Sequence, residues 1–400
     1  MILQHNPPLH LTYCLNIHPG ESWAENFAAI REKALVVKRS VSPDAFFGLG
    51  LRIAQQAAAE LTADPGLIEE AREFFAAEGM YPFSINGFPY GRFHAGPVKE
   101  NVYAPDWRTP ERRDYTFQLA DILAQFLPPD VDGSISTVPC SFKPWIEDEA
   151  DRHVMAANLG SVAAYLAAIR DETGQEMHLG LEPEPDCYLE TTEEMIAFYN
   201  DALLTTGVDE VVRIMGSDRG TAEEAVRRHL GVCLDTCHVA LQFEEPLDAL
   251  RAYAGEGIRI SKIQLSAALA APASPATWTA LERFAEPVYL HQVKAFAASG
   301  ARVAWFDLPV ALEEGPAFPD LEELRVHFHV PLFFQHAGPL GSTAPTLTPE
   351  FFRALRSGLC AHLEIETYTF DVLPPEVHRG DVVKSITREY AWVLGRLGGD

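Results

Sequence analysis

Positive charge is scarce in this chain of 400 residues: 31 Lys and Arg stand against 57 Asp and Glu, a formal net charge of −26. Such a surface repels phosphate backbones, so nucleic-acid binding is not expected. Long apolar runs are also missing. None approaches the roughly 20 residues that a membrane-crossing helix needs, so no membrane insertion is expected. The opening stretch, Met1 to Pro8, has neither a basic region nor an apolar core of signal-peptide length. Cysteine is sparse: six, at 14, 140, 187, 233, 237 and 360, with no Cys-x-x-Cys spacing. That leaves no disulfide framework and no thiolate-rich zinc site to expect, and it points to a reduced, cytoplasmic protein. No glycine-rich phosphate loop follows the first strand-like segment, so a nucleotide-binding open sheet lacks its signature.

What is present is a core and a rhythm. Hydrophobic residues make up 47% of the chain. Apolar, β-prone segments at 11–18, 46–53, 81–87, 134–139, 178–182, 231–235, 258–266, 325–332 and 361–368 alternate with helical patterns. The helical stretches include 112–126, 149–172, 192–205 and 382–398. About eight strand–helix repeats predict an α/β protein with a parallel sheet closed as a (β/α)8 TIM barrel. The ninth segment, 325–332, is assigned to an insertion of about 267–345 between strands seven and eight. Elsewhere in 267–325 only irregular, helical pieces are expected. No Gly/Ser-rich linker divides the chain, so residues 1–400 are read as one barrel domain. The loop 88–108, with Tyr90, Arg92, His94, Lys99, Tyr103 and Trp107, is long enough to suggest function. Its aromatics Phe88, Tyr90, Phe93 and Trp107 are read as lid packing.

Barrels of this kind carry their sites at the C-terminal ends of the strands. The polar residues expected there are Asn16 and His18, Arg52, Asn86, Thr137, Glu182, Asp235 with His238, Gln264, and Glu366. The second half holds all the carboxylates. Asp235 ends the apolar run Val232-Cys233-Leu234, and an acid so placed needs a buried partner. Three acids converging from strands five, six and eight repel one another unless a cation sits among them. Oxygen donors suit Mn, Mg or Co, with Zn also open. Of Glu364 and Glu366, taken to face opposite sides of the last strand, Glu366 is expected inside. His18, Asn16, Asn86, His327, His329 and Lys143 are the candidate substrate contacts.

Cys-Leu-Asp-Thr-Cys-His at 233–238, with Leu-Glu at 181–182 before it and Ile-Glu-Thr at 365–367 after it, resembles the xylose isomerase-like barrels in their endonuclease IV version. Residues 12–23 and 99–107 resemble, more narrowly, the EboE metabolite-traffic group. The resemblance implies that Glu182, Asp235 and Glu366 are metal ligands. Gln264 stands where such proteins place a strand-seven histidine ligand. His327 and His329 stand where the endonuclease binds further zinc. The endonuclease's two early histidine ligands match no histidine here, Asn86 and Thr137 being nearest, which argues against a three-zinc phosphodiesterase site.

The function expected is divalent-metal-dependent isomerisation or epimerisation of a small hydroxylated metabolite such as a sugar or polyol. Glu182 and Glu366 would serve as base and acid, with His238 holding the substrate. Two alternatives stay open: a metabolite-binding or traffic protein of the EboE type without turnover, and a metal-dependent phosphoesterase. Homo-oligomerisation and operon-encoded partners are both compatible with the sequence.

Overall fold

The computed structural model describes residues 1–93, 99–370, 373 and 381–398. Eight strands run parallel around a closed barrel: β1 (Pro8–Tyr13), β2 (Phe47–Arg52), β3 (Met80–Asn86), β4 (Gly133–Thr137), β5 (Met177–Leu181), β6 (Leu230–Asp235), β7 (Arg259–Leu265) and β8 (His362–Ile365). Neighbours pair in order from β2 through β8, and β8 pairs with β1 in register Leu363 to Leu11. A single parallel bridge, Cys14 to Gly50, closes the ring between β1 and β2. The expected (β/α)8 barrel is therefore what the chain forms. All its strands are buried along nearly their whole length, as helices on the outer face require.

Local signals place the helices. Ser22 caps the first one through a reciprocal capping box with Glu25. Asp148 caps the helix Glu149–Thr173, and Gly174 ends it in the left-handed conformation. Differences from the sequence reading lie mainly at element ends. The first strand stops at Tyr13, and Leu15–Ile17 is a turn of 3-10 helix that carries Asn16 inward. A short strand, Ile2–His5, pairs antiparallel with β1 and was not expected. No helix among the described residues is long and apolar enough to cross a membrane.

The segment between β7 and β8 is a second sheet, not irregular chain. Six antiparallel strands are ordered Arg302–Trp305, Val293–Ala297, Leu321–Val326, Leu269–Pro272, Leu340–Ser342 and His336–Ala337. They are short, and runs such as Leu-Ala-Ala-Pro and Leu-Gly-Ser carry no β-branched alternation to betray them. The expected strand at 325–332 ends at Val326. His327 and His329 follow it in chain pinned to the barrel, where Val330 N–H donates to Ala267 O (2.9 Å) and Thr369 Oγ1 to His329 O (2.7 Å).

Inside the barrel, Glu364 is buried and not outside as expected. Residues two apart in a strand share a face, so Glu364 and Glu366 both point inward, one layer apart. Glu364 accepts from Lys262 Nζ (2.5 Å) and Ser84 Oγ (3.1 Å). Burial works to lower the Lys262 pKa, but the Glu364 carboxylate and nearby thiols hold it above its ordinary value. Gly50 makes room for this pair: a Cβ there would lie 2.1 Å from Glu364 Oε1. At the opposite end of the barrel, Asp132 accepts from His178 Nε2 (3.1 Å), His362 Nε2 (3.1 Å) and Arg259 (2.8 Å).

Two consequences are measurable. Gly50→Ala should destabilise the fold by roughly 1–3 kcal/mol in denaturant titrations, through overpacking against the ion pair. Burial drives His178 down to about 3 and His10 down to about 4, so both are neutral in the folded chain while the unfolded chain protonates near 6.5. The unfolded state then binds more protons below that value. Stability is fully present above pH 6.5 and should fall by up to about 2 kcal/mol for each histidine between pH 7 and pH 5. Thermal melts of His178→Gln should show a flatter pH dependence.

Candidate metal centre

The C-terminal mouth of the barrel brings three carboxylates together. Glu182 follows β5 directly, its N–H donating to Thr137 O (3.1 Å), and Pro183 and Pro185 fix the chain's exit. Asp235 ends β6 and caps the helix Thr236–Leu241. Glu366 follows β8, with its N–H on Leu265 O (3.0 Å). One oxygen of each lies within 4.8 Å of the others, and all three residues are buried.

The two oxygens of Asp235 are treated differently. Oδ1 accepts from Cys237 N (2.7 Å), His238 N (3.1 Å) and Ser266 Oγ (2.6 Å), while Oδ2 has no hydrogen-bond partner. Glu366 Oε1 is held by the Asn16 and Asn86 amides at 2.7 and 3.1 Å. Glu182 Oε2 is unpartnered, and so are both amide atoms of the fully buried Gln264. Buried polar atoms without partners are rare, and each costs on the order of 1–3 kcal/mol. The three carboxylates, with unpartnered oxygens on Glu182 and Asp235, are an oxygen-rich donor set that fits a divalent ion.

Electrostatics agree with that fit. Burial and the Asp235 charge push Glu182 well above the ordinary carboxylate range; burial, then Glu182 and Asp235, do the same to Glu366. Burial works to raise Asp235 too, but the His238 and His329 imidazoles, a hydrogen bond with the Glu366 carboxyl and the Ser266 hydroxyl hold it below its usual value. Without a cation, at least one proton stays among the three.

The histidines have defined tautomers. His329 Nδ1 donates to Glu366 O (3.1 Å), which leaves Nε2 as a lone-pair donor without a partner in the structure. His329 and His238 each bring a ring nitrogen within 4.8 Å of an Asp235 oxygen. The inserted segment thus places a histidine nitrogen beside Asp235, where the strand-seven position holds Gln264 and offers no imidazole. His238 Nδ1 donates to Pro183 O (3.1 Å). Gln292 Nε2 donates to Tyr103 Oη (3.2 Å) and Pro185 O (3.1 Å), so its Oε1 must accept from His327 Nδ1 (2.7 Å). Both lone pairs then meet, His238 Nε2 to His327 Nε2, at 3.1 Å. That contact is repulsive unless a proton or a metal ion lies between, and Glu184 completes a second group of three donors there. Burial lifts Glu184 to about 8.

Of the other residues singled out from sequence, Asn16 and Asn86 line the cavity above the carboxylates with Glu182, His238, His327 and Glu366. His18 is buried against Tyr13 Oη (3.0 Å) and is not among the lining residues. Lys143, expected at the substrate, is instead held at 3.0 Å by both Glu190 and Glu194 outside the cavity lining. Arg52 bonds Gly20 O and Gly91 O at 2.6 Å each, tying the loop after β3 to the loop after β1. Thr137 accepts from Trp107 Nε1 (3.2 Å). Phe88 and Phe93 face the cavity, whereas Tyr90 packs on Tyr115; His94 lies outside the described residues. Gln292, Ser266 and Tyr368 carried no sequence signal, because each acts through a contact made only in three dimensions.

No protein-family model and no curated protein matches the chain. Solved structures similar to it include a probable 3-DHS dehydratase, AsbF, from Bacillus anthracis (11% identity, TM-score 0.48, 96% of this chain and 98% of that one). Another is the IOLI protein with a bound zinc atom (10%, 0.47, 98% and 98%). A third is a xylose isomerase-like TIM barrel protein from Mycobacterium smegmatis in complex with magnesium (12%, 0.47, 96% and 98%). The barrel itself rests on the strand pairing described above.

Metal binding should be tight and pH-linked. Titration of the metal-stripped protein with Mn or Co in buffers of different ionisation heat should show proton release, and affinity should fall on acidification as Glu182 and Glu366 hold their protons. Asp235→Asn should lose most of the bound metal, measured by elemental analysis after dialysis. The chain forms a (β/α)8 barrel with a carboxylate-rich mouth.

Proposed function

We propose that the protein is a divalent-metal-dependent isomerase or epimerase that moves a proton on a small hydroxylated metabolite. The observation that carries this reading is the convergence of Glu182, Asp235 and Glu366, with the unpartnered His329 Nε2 on a ring that reaches Asp235. A bound divalent ion would polarise neighbouring carbonyl and hydroxyl oxygens of the substrate. Glu182, Asp235, Glu366 and His329 would hold it, with the Gln264 amide oxygen as a weaker donor. Glu182 and Glu366 come from strands on different sides of the mouth, so one carboxylate could take a proton from carbon while the other gives one. Asn16 and Asn86 orient Glu366 through its Oε1. His238 would hold a substrate hydroxyl at the edge of the site. The six free, buried cysteines support a reducing, cytoplasmic setting, and the acidic surface supports a small molecule over nucleic acid as substrate.

The group of Glu184, His238 and His327 favours a second reading, metal-dependent phosphoester hydrolysis at a site with more than one ion. Metal content separates the two: one equivalent per chain supports isomerisation, and two or three support hydrolysis. A carrier role of the EboE type would show full metal and ligand retention with no turnover.

The test is isotope exchange. The Mn-, Mg-, Co- or Zn-loaded protein incubated in D2O with ketoses and α-hydroxyketones should place deuterium on the carbon next to the carbonyl, read by NMR. Glu182→Gln should slow that exchange by about 100-fold or more. Absence of exchange with every one of these metals would remove the isomerase reading.

A further inference from the structure

The cavity above the carboxylates is narrow: about 50 Å³ of it is open to the centres of water-sized molecules, inside an envelope of about 530 Å³ that includes open solvent. Glu182 and Glu366, with Asn16 and Asn86, form its carboxylate floor; Glu184, His238 and His327 also line it, and the rest of the lining is largely rings and aliphatic side chains. Phe93, Tyr289 and Tyr368 form a mutually packed group with centroid distances of 5.3, 5.2 and 5.4 Å. Phe88 and Leu290 continue this surface.

The polar groups among the walls are largely engaged. Tyr103 Oη donates to Glu184 Oε1 (3.1 Å) and accepts from Gln292. Lys99 is the one cationic side chain among the described lining residues, and its Nζ is held by Asp307 Oδ2 (2.6 Å) and Tyr289 O (2.8 Å). A phosphate or carboxylate on the ligand would therefore meet acids at the floor and no available cation among the described wall residues. A sugar with hydroxyls on every face would satisfy those near the floor and leave the others against aromatic rings. Buried hydroxyls without partners are penalised, whereas apolar surface against these walls is favoured.

We infer that the ligand of this cavity is an uncharged molecule with two adjacent oxygens at one end, such as an α-hydroxyketone or a vicinal diol, and an apolar or aromatic body at the other. The assignment deepens the proposed function, since its polar end rests on reading the floor as a metal centre. The oxygens would lie at the carboxylates and the body against the surface that Phe93, Tyr289 and Tyr368 present to the cavity. It differs from a free or phosphorylated sugar in the part of the molecule that meets the walls.

The test compares probes of equal polar end and different body. Cobalt-loaded protein would be titrated with 2-hydroxyacetophenone, dihydroxyacetone, D-fructose and glucose 6-phosphate, following the visible cobalt absorption. The same four would be compared by saturation-transfer NMR on magnesium-loaded and metal-free protein. The aryl hydroxyketone should bind at least tenfold more tightly than any of the other three, and Phe93→Ala or Tyr289→Ala should remove most of that advantage with cobalt content unchanged. Equal or tighter binding of fructose, dihydroxyacetone or the sugar phosphate would overturn the inference, and so would failure of the aryl probe to bind at millimolar concentration. If no cobalt is retained, the metal-centre reading falls by itself. The NMR ranking on metal-free protein then still decides the ligand class: aryl above sugar supports it, and the reverse overturns it.

Discussion

Three buried carboxylates that face one another cannot all be ionised in a low-dielectric site without something to offset their repulsion. The mouth of this barrel is arranged around that constraint. Part of the offset comes from donors: the Ser266 hydroxyl and two backbone N–H groups saturate one oxygen of Asp235, and two asparagine amides hold Glu366. Part comes from below, where Lys262 is buried one layer under the acids and is among the charges that lower Glu182. Lys262 is itself neutralised by Glu364, so it relieves the repulsion only partly. What remains unsatisfied is the set of inward oxygens and nitrogens that a divalent ion would take.

The inserted sheet completes this arrangement from outside the barrel. A barrel strand can offer one or two inward side chains at its end, and β7 offers Gln264. The segment after the strand Leu321–Val326 adds two imidazoles over the same mouth. Gln292, from the neighbouring insertion strand's approach, fixes the tautomer of one of them, and the Glu366 carbonyl fixes the other. Such partners set which ring nitrogen keeps its lone pair, and therefore which can bind a cation. The same insertion supplies Tyr289 and Leu290 to the cavity wall and ties down Lys99 from the loop after β3. Two segments far apart in sequence thereby form one roof.

Periodicity and strand-end chemistry made much of this legible. Apolar runs closed by Glu182, Asp235 and Glu366 announced both a parallel sheet and the end of it that carries chemistry. Asn16 and Asn86 were found by the same reasoning, because a polar side chain that ends a buried strand needs a partner. Lys143 misled because a lysine after a strand says nothing about its neighbours, and here Glu190 and Glu194 take it. The Glu364 assignment failed on geometry, since residues two apart in a strand share a face. The insertion's sheet was hidden because its strands are two to six residues long, poor in β-branched residues and stabilised by non-local pairing.

The amino-acid sequence alone determined the alternation of strand and helix, the closure into a parallel barrel and the identity of the three acids at its mouth. These follow from local periodicity and from the cost of burying a lone charge. The tertiary structure decided which atoms of those acids stay unpartnered, that nitrogens of His238 and His329 approach Asp235 while strand seven offers only an amide, and that the cavity walls are aromatic. Those properties depend on distances between segments as much as 350 residues apart, as between Asn16 and Glu366. No pattern along the chain encodes them, because they arise only when separate strand ends are carried to the same rim.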